Sequence, residues 1–232
     1  MQNIFPEGPV WYAVFLFSIT CHEAAHALAA RLGGDDTAYE GGQVTLNPLP
    51  HMQREPIGTI VVPIISYIYA GWILGWASAP IDPTWQARHP HRAAWMALAG
   101  PVSNFLIMLI AGICIRIGLA NGFFDFPLPE HIGFDELVVS SDTGAPSGAT
   151  LFISVLFSLN LLLCVFNLIP LPPLDGATVI GLLFPEETAL KIYDAARNPG
   201  FQLIGMMLVW TMFGKFFAPI FYFALKLLFT PF

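Results

Sequence analysis

The residues best placed to do chemistry are His22, Glu23 and His26, which stand as His22-Glu23-Ala24-Ala25-His26 inside an apolar run from near Val10 to near Leu32. Residues four apart fall on one face of an α-helix, so the two imidazoles can share one metal ion while Glu23 lies one step round, beside the ion rather than on it. Two such histidines on zinc, with a glutamate to take a proton from zinc-bound water, form a pattern for metal-assisted hydrolysis. Phe15, Leu16, Phe17, Ile19 and the alanine-rich stretch to Ala30 leave almost no other polar group in the run. An ionisable residue in the middle of a bilayer helix costs roughly 2.5–3.5 kcal/mol on insertion scales. Three of them within five residues imply a function.

The element that must carry these residues is a helix over Pro9 to Leu32, ended by Gly33 and Gly34. It is not a cleaved leader, because residues 1–9 hold Glu7 and no lysine or arginine. By helical rise, Glu23 lies about 14 Å from the C-terminal end, so the metal would sit inside the membrane, nearer one surface. A second stretch, Asn167-Leu168-Ile169-Pro170-Leu171-Pro172-Pro173-Leu174-Asp175-Gly176, carries prolines that no regular helix accommodates. Backbone unwound in a bilayer survives only where protein encloses it or where it lines a wet cavity. Asp175 is therefore a candidate third ligand beside His22 and His26, with a fourth position open for water. The alternative is that Asp175 caps the helix resuming at Gly176. Asn167 could donate to the oxyanion formed when water attacks a carbonyl, or could simply satisfy backbone at the broken helix.

The composition places the rest. Of 232 residues, 56% are hydrophobic and only 11% charged, against roughly 25% charged in an average soluble domain. That is an all-α polytopic membrane protein, with about five or six membrane segments of roughly 20 residues each, read as a single domain over 1–232. A net charge of −7 without a lysine or arginine cluster argues against nucleic-acid binding. Cys21, Cys114 and Cys164 have no metal-type spacing and read as small buried residues. After the first helix, Gln43-Val44-Thr45-Leu46 alternates as a short strand of a β-hairpin would, stopped by Asn47-Pro48. It is either an ordinary surface hairpin or a free edge near the metal on which Val44, Thr45 and Leu46 pair with a substrate backbone. His51 follows as a further candidate site residue or a plain loop histidine.

The apolar run 57–79, interrupted by Pro63, Gly71 and Gly75, either crosses the bilayer or dips in and returns. Ala93 to Leu119 is a spanning candidate whose small residues permit close helix approach, with Asn104 read as an interhelical hydrogen-bonding residue in preference to a catalytic one. The 120–148 loop is acidic, with Asp125, Glu130, Asp135, Glu136, Asp142 and His131. Arg88, Arg92, Lys191 and Arg197 make the 80–92 and 184–199 loops cytoplasmic by the positive-inside rule and the 120–148 loop external. The last run, Phe201 to Phe229, is interrupted by Lys215 and Pro219.

HEAAH in an apolar helix, TLNP after it, ALAGPVSN in a later helix and NLIPLPPLDG in the next resemble the site-2 protease family of intramembrane zinc metalloproteases. The resemblance implies one zinc per chain on His22, His26 and Asp175, Glu23 as general base and Asn167 near the scissile carbonyl. It also implies a transmembrane protein as substrate, cut within or near its membrane segment in regulated intramembrane proteolysis, and a multi-pass location in a bacterial or archaeal cell membrane. The chain lacks the PDZ and CBS domains of many members and any apolar segment before the HEAAH helix, which suggests a compact branch. A reading from another class is a metal transporter or non-catalytic membrane chaperone, since intramembrane His and Asp also mark ion pathways. Glu23 argues for a hydrolase, because a transporter needs no glutamate beside the histidine pair. Nothing in the sequence speaks to oligomeric state.

Overall fold

The computed structural model describes residues 7–128 and 132–230. Among the described residues, four helices are long and apolar enough to cross a membrane: α1 (Gly8–Leu32), α6 (Pro90–Ala120), α7 (Gly148–Asn167) and α10 (Pro199–Phe229). Between them lie α2 (Thr37–Glu40), α3 (Pro48–Arg54), α4 (Val62–Ala70), α5 (Pro83–Arg88), α8 (Gly176–Val179) and α9 (Glu186–Ala196). Local chemistry sets the starts. Proline occupies the first turn of α1, α3, α5, α6 and α10, where its missing N–H costs nothing, and Asn47, Asp82, Ser147 and Asn198 cap with their side chains. Lys215 and Pro219 do not break the last run, which stays helical from Pro199 to Phe229.

The core is the contact of α1, α6 and α7. Trp11, Val14, Phe15 and Ile19 of α1 meet Met108, Ala111 and Ile115 of α6 and Leu151, Val155, Phe157 and Leu159 of α7, all buried. α10 is peripheral: 11% of its apolar window is buried, against 61% for α1 and for α7. Much of the apolar surface, including Ile113, Leu203 and Trp210, is exposed, as lipid-facing side chains must be. Of the cysteines, Cys164 is buried, but Cys21 is intermediate and Cys114 exposed, since on a lipid-bathed helix an apolar residue need not face inward.

The 57–79 run doubles back. A π-helical turn, Ile57–Val61, leads into α4, which ends at Gly71 in the left-handed conformation (φ 75°). The chain then returns extended beside the helix it has just left, with Leu74 N–H donating to Ser66 Oγ and Trp76 N–H to Gly58 C=O. Of the two alternatives for this run, this is the returning one. The extended stretch goes on along α1, from Gly75 against Phe15 to Asp82, whose N–H donates to Asp35 Oδ2 near the C-terminal end of α1. Among the described residues, no hydrogen bond reaches the backbone of Ala77 to Ile81.

The strand expected at 43–46 is absent. Residues 44–46 form bends, because Thr45 Oγ1 accepts from Asn47 N–H and Asn47 Oδ1 from Leu49 N–H, which turns the chain into α3. The one antiparallel strand pair among the described residues lies in the acidic loop instead, β1 (Phe124–Asp125) against β2 (Val139–Ser140). Glu130 and His131 of that loop lie outside the described residues. The 80–92 and 184–199 segments gather at one end with the end of α1. Trp85 and Arg92 donate to Gly33 C=O, His91 Nε2 to Phe184 C=O, and Arg197 to Gln86 Oε1.

Candidate metal centre

His22 and His26, one turn apart on α1, point together into the α1–α6–α7 core at 3% and 5% exposure. α7 stops at Asn167, and the proline-bearing stretch 168–175 crosses back as irregular turns that deliver Asp175. Asp175 holds the N-cap position of α8 yet makes no capping hydrogen bond. Its carboxylate turns to the histidines instead, with Oδ2 3.1 Å from His22 Nε2 and 3.3 Å from His26 Nε2. The two Nε2 atoms are 3.0 Å apart, and among the described residues this is the single His/Cys/Asp/Glu group with ligand spacing.

The backs of the rings decide what the fronts can be. His22 Nδ1 is 2.6 Å from Asn104 Oδ1 and His26 Nδ1 is 2.8 Å from Met96 C=O. Both partners are acceptors, so each Nδ1 carries the proton and each Nε2 presents a lone pair. Two lone pairs and a carboxylate oxygen then converge in a buried space, which is repulsive until a cation lies among them. The separations also fit one. Ligands at about 2.0–2.1 Å from a tetrahedral zinc stand about 3.3 Å apart. Gly100 of α6 leaves the room, since a Cβ there would lie 2.6 Å from His22 Nε2 and closer still to His26 Nε2. Zinc is thus a good match to the donor set and to its spacing.

Glu23 is buried at 4% exposure, next in chain to His22. Asp175, whose side chain is 23% exposed, is the most accessible of the three converging groups. Asn167 turns its amide back on its own helix, donating to Leu163 C=O at 3.1 Å. His51 is no loop residue: it sits on α3 at 1% exposure, with Nε2 3.1 Å from Thr45 C=O, outside the metal group. Val44 and Thr45 are half-buried and Leu46 is exposed, also outside it. Asn104 proves more than a helix-packing residue. It ties α6 to α1 through the ring of a candidate ligand, and its only sequence signal was an amide at the end of a stretch of small residues.

The sequence model described as Peptidase family M50 matches residues 10–212. The chain is 34% identical over 209 residues to "Putative zinc metalloprotease YwhC" of Bacillus subtilis, covering 90% of this chain and 83% of that one. It is 25% identical over 210 residues to "Putative zinc metalloprotease Rip2" of Mycolicibacterium smegmatis, covering 90% and 70%. No solved structure matches.

Proposed function

The chain belongs to peptidase family M50, the site-2 protease family of integral membrane metalloproteases, and from that premise we propose that it is an intramembrane zinc metalloprotease cutting membrane proteins within or near their transmembrane segments. The observation that carries the reading is the convergence of Asp175 on His22 and His26, which lie beside Glu23 on a helix long enough to span a bilayer. When bound there, zinc would supply Lewis acidity, lowering the pKa of a water towards about 7 and polarising the scissile carbonyl.

Asn104 and the Met96 carbonyl hold the two rings with Nε2 inward. The Glu23 carboxylate takes a proton from the attacking water and passes it to the leaving amine. Asn167 stabilises the developing oxyanion once substrate draws its amide away from Leu163 C=O. A helical substrate hides its carbonyls in its own hydrogen bonds, so it must unwind before attack. The backbone it then exposes needs a partner. The bends at 44–46 are a poor one, whereas the unpaired extended stretch 77–81 is a good one. Counting from Phe15 at about 1.5 Å per helical residue and from Gly75 at about 3.3 Å per extended residue, that stretch draws level with the histidines near Ser78 and Ala79.

The test is cleavage of a single-pass membrane protein in detergent, with and without a zinc chelator, by wild type and Glu23→Gln. Chelation and the substitution should each abolish cutting, with Glu23→Gln still holding zinc. A Glu23→Gln protein that cuts would remove Glu23 from the mechanism, and cleavage insensitive to chelator would remove the metal.

A further inference from the structure

The amides of Asn104 and Asn160, packed where α1, α6 and α7 meet, have one consistent pair of orientations, and we propose that Asn160 is a positioning residue of the metal centre that fixes the tautomer of His22 through Asn104. The proposal rests on the reading of His22 as a metal ligand. The order begins at Leu156 C=O, which can only accept. Asn160 therefore turns Nδ2 to it, at 2.8 Å, and the same amino group reaches Ser18 Oγ at 2.9 Å. Asn160 Oδ1 is left facing Asn104, where it accepts from Nδ2 at 2.9 Å, while the Ser18 carbonyl accepts more distantly at 3.4 Å. With its amino group held there, Asn104 offers His22 only its oxygen.

An amide's oxygen and amino group have nearly the same shape, so packing alone cannot choose between its two flips; hydrogen-bond partners must. Ser18, Asn104 and Asn160 are all 0% exposed, so water takes no part in the choice. Without the Asn160 oxygen, Asn104 can rotate and present Nδ2 to His22 Nδ1. The ring would then carry its proton on Nε2, the atom that must face the metal. A backbone carbonyl on α7 thus reaches, through two side chains, a ligand atom on α1.

Asn160→Leu should weaken zinc binding about tenfold, the lower end of the range for losing a direct partner of a ligand, because Asn160 acts through Asn104. In zinc-free protein, ¹⁵N-histidine spectra should show His22 shifting from the Nδ1–H tautomer towards Nε2–H. Asn160→Asp, neutral in a site that water does not reach, keeps an accepting oxygen for Asn104 and an O–H for Leu156 C=O but loses the hydrogen bond to Ser18, and should bind zinc close to wild type. Ser158→Ala, which removes another buried polar group of α7, should change neither readout. Asn160→Leu with wild-type affinity and tautomer would overturn the proposal, as would Asn160→Asp falling as far as Asn160→Leu, which is what a merely structural tie to Ser18 predicts. Wild-type protein that takes up no zinc would overturn the metal reading itself, whereas the spectra of zinc-free protein judge the relay separately.

Discussion

Replacing Gly100 by alanine crowds a methyl group against the two imidazoles that would hold the metal. The added Cβ would lie 2.6 Å from Nε2 and Cε1 of His22 and closer to Nε2 of His26, whereas unstrained contacts between such atoms begin at about 3.5 Å. The overlap of about 1 Å has no cheap release. Each ring is held from behind, His22 by Asn104 and His26 by the Met96 carbonyl, so swinging either away breaks a buried hydrogen bond. Overpacking of this kind costs about 1–3 kcal/mol, and where it falls on the metal-binding geometry, at about 1.4 kcal/mol per tenfold, it weakens zinc about 5- to 150-fold. The assay is equilibrium dialysis of detergent-purified protein against zinc buffers, with metal counted by atomic absorption and the fold checked by circular dichroism. Gly214→Ala, where a Cβ meets nothing within 4 Å, is the control and should bind as wild type. A folded Gly100→Ala protein with wild-type zinc affinity would refute the reasoning, because it would place the ion elsewhere than between these rings and α6.

Asp175→Asn removes the ligand charge at nearly constant shape and should lose zinc on dialysis; unchanged metal content would mean another group supplies the third ligand. Ala79→Cys should form disulfides with cysteines scanned through the cleavage region of a bound Glu23→Gln complex, while Leu46→Cys should not; the reverse pattern would return substrate pairing to the 43–46 segment. Gly71→Ala forces a side chain into the left-handed region and should destabilise the returning hairpin by about 1 kcal/mol, read as a lowered Tm without loss of bound zinc. Asp82 is held below its ordinary 3.8, first by the Thr84 N–H it caps, so its contribution is present at neutral pH and is lost as pH falls through the carboxylate range. The Tm gap between wild type and Asp82→Ala should therefore hold from neutral pH down to about the ordinary 3.8 and shrink as pH falls below it, and a gap independent of pH would exclude the ionised cap.

Much of this protein can be read from its residues because the signals are local or depend on solvent. Apolar run length marks the spanning helices, the spacing of four puts His22 and His26 on one face, and three prolines ensure that the helix stops before Asp175. These hold whatever the rest of the chain does. The segments that failed are those in which local alternation competes with side-chain bonds. At 43–46 Thr45 and Asn47 turn the backbone that the alternation would extend, and at 73–82 the chain is extended with no alternating signal to announce it, because its neighbour is a helix rather than another strand. Only the tertiary structure decided that the Asp175 carboxylate leaves its capping position for the histidines, that Asn104 backs one of them, and that Gly100 leaves the gap they share. Each of those depends on residues far apart in the chain being brought together, 82 positions for Asn104 and His22 and 153 for Asp175 and His22, and no pattern along a chain encodes which carbonyl or amide will be there when the helices close.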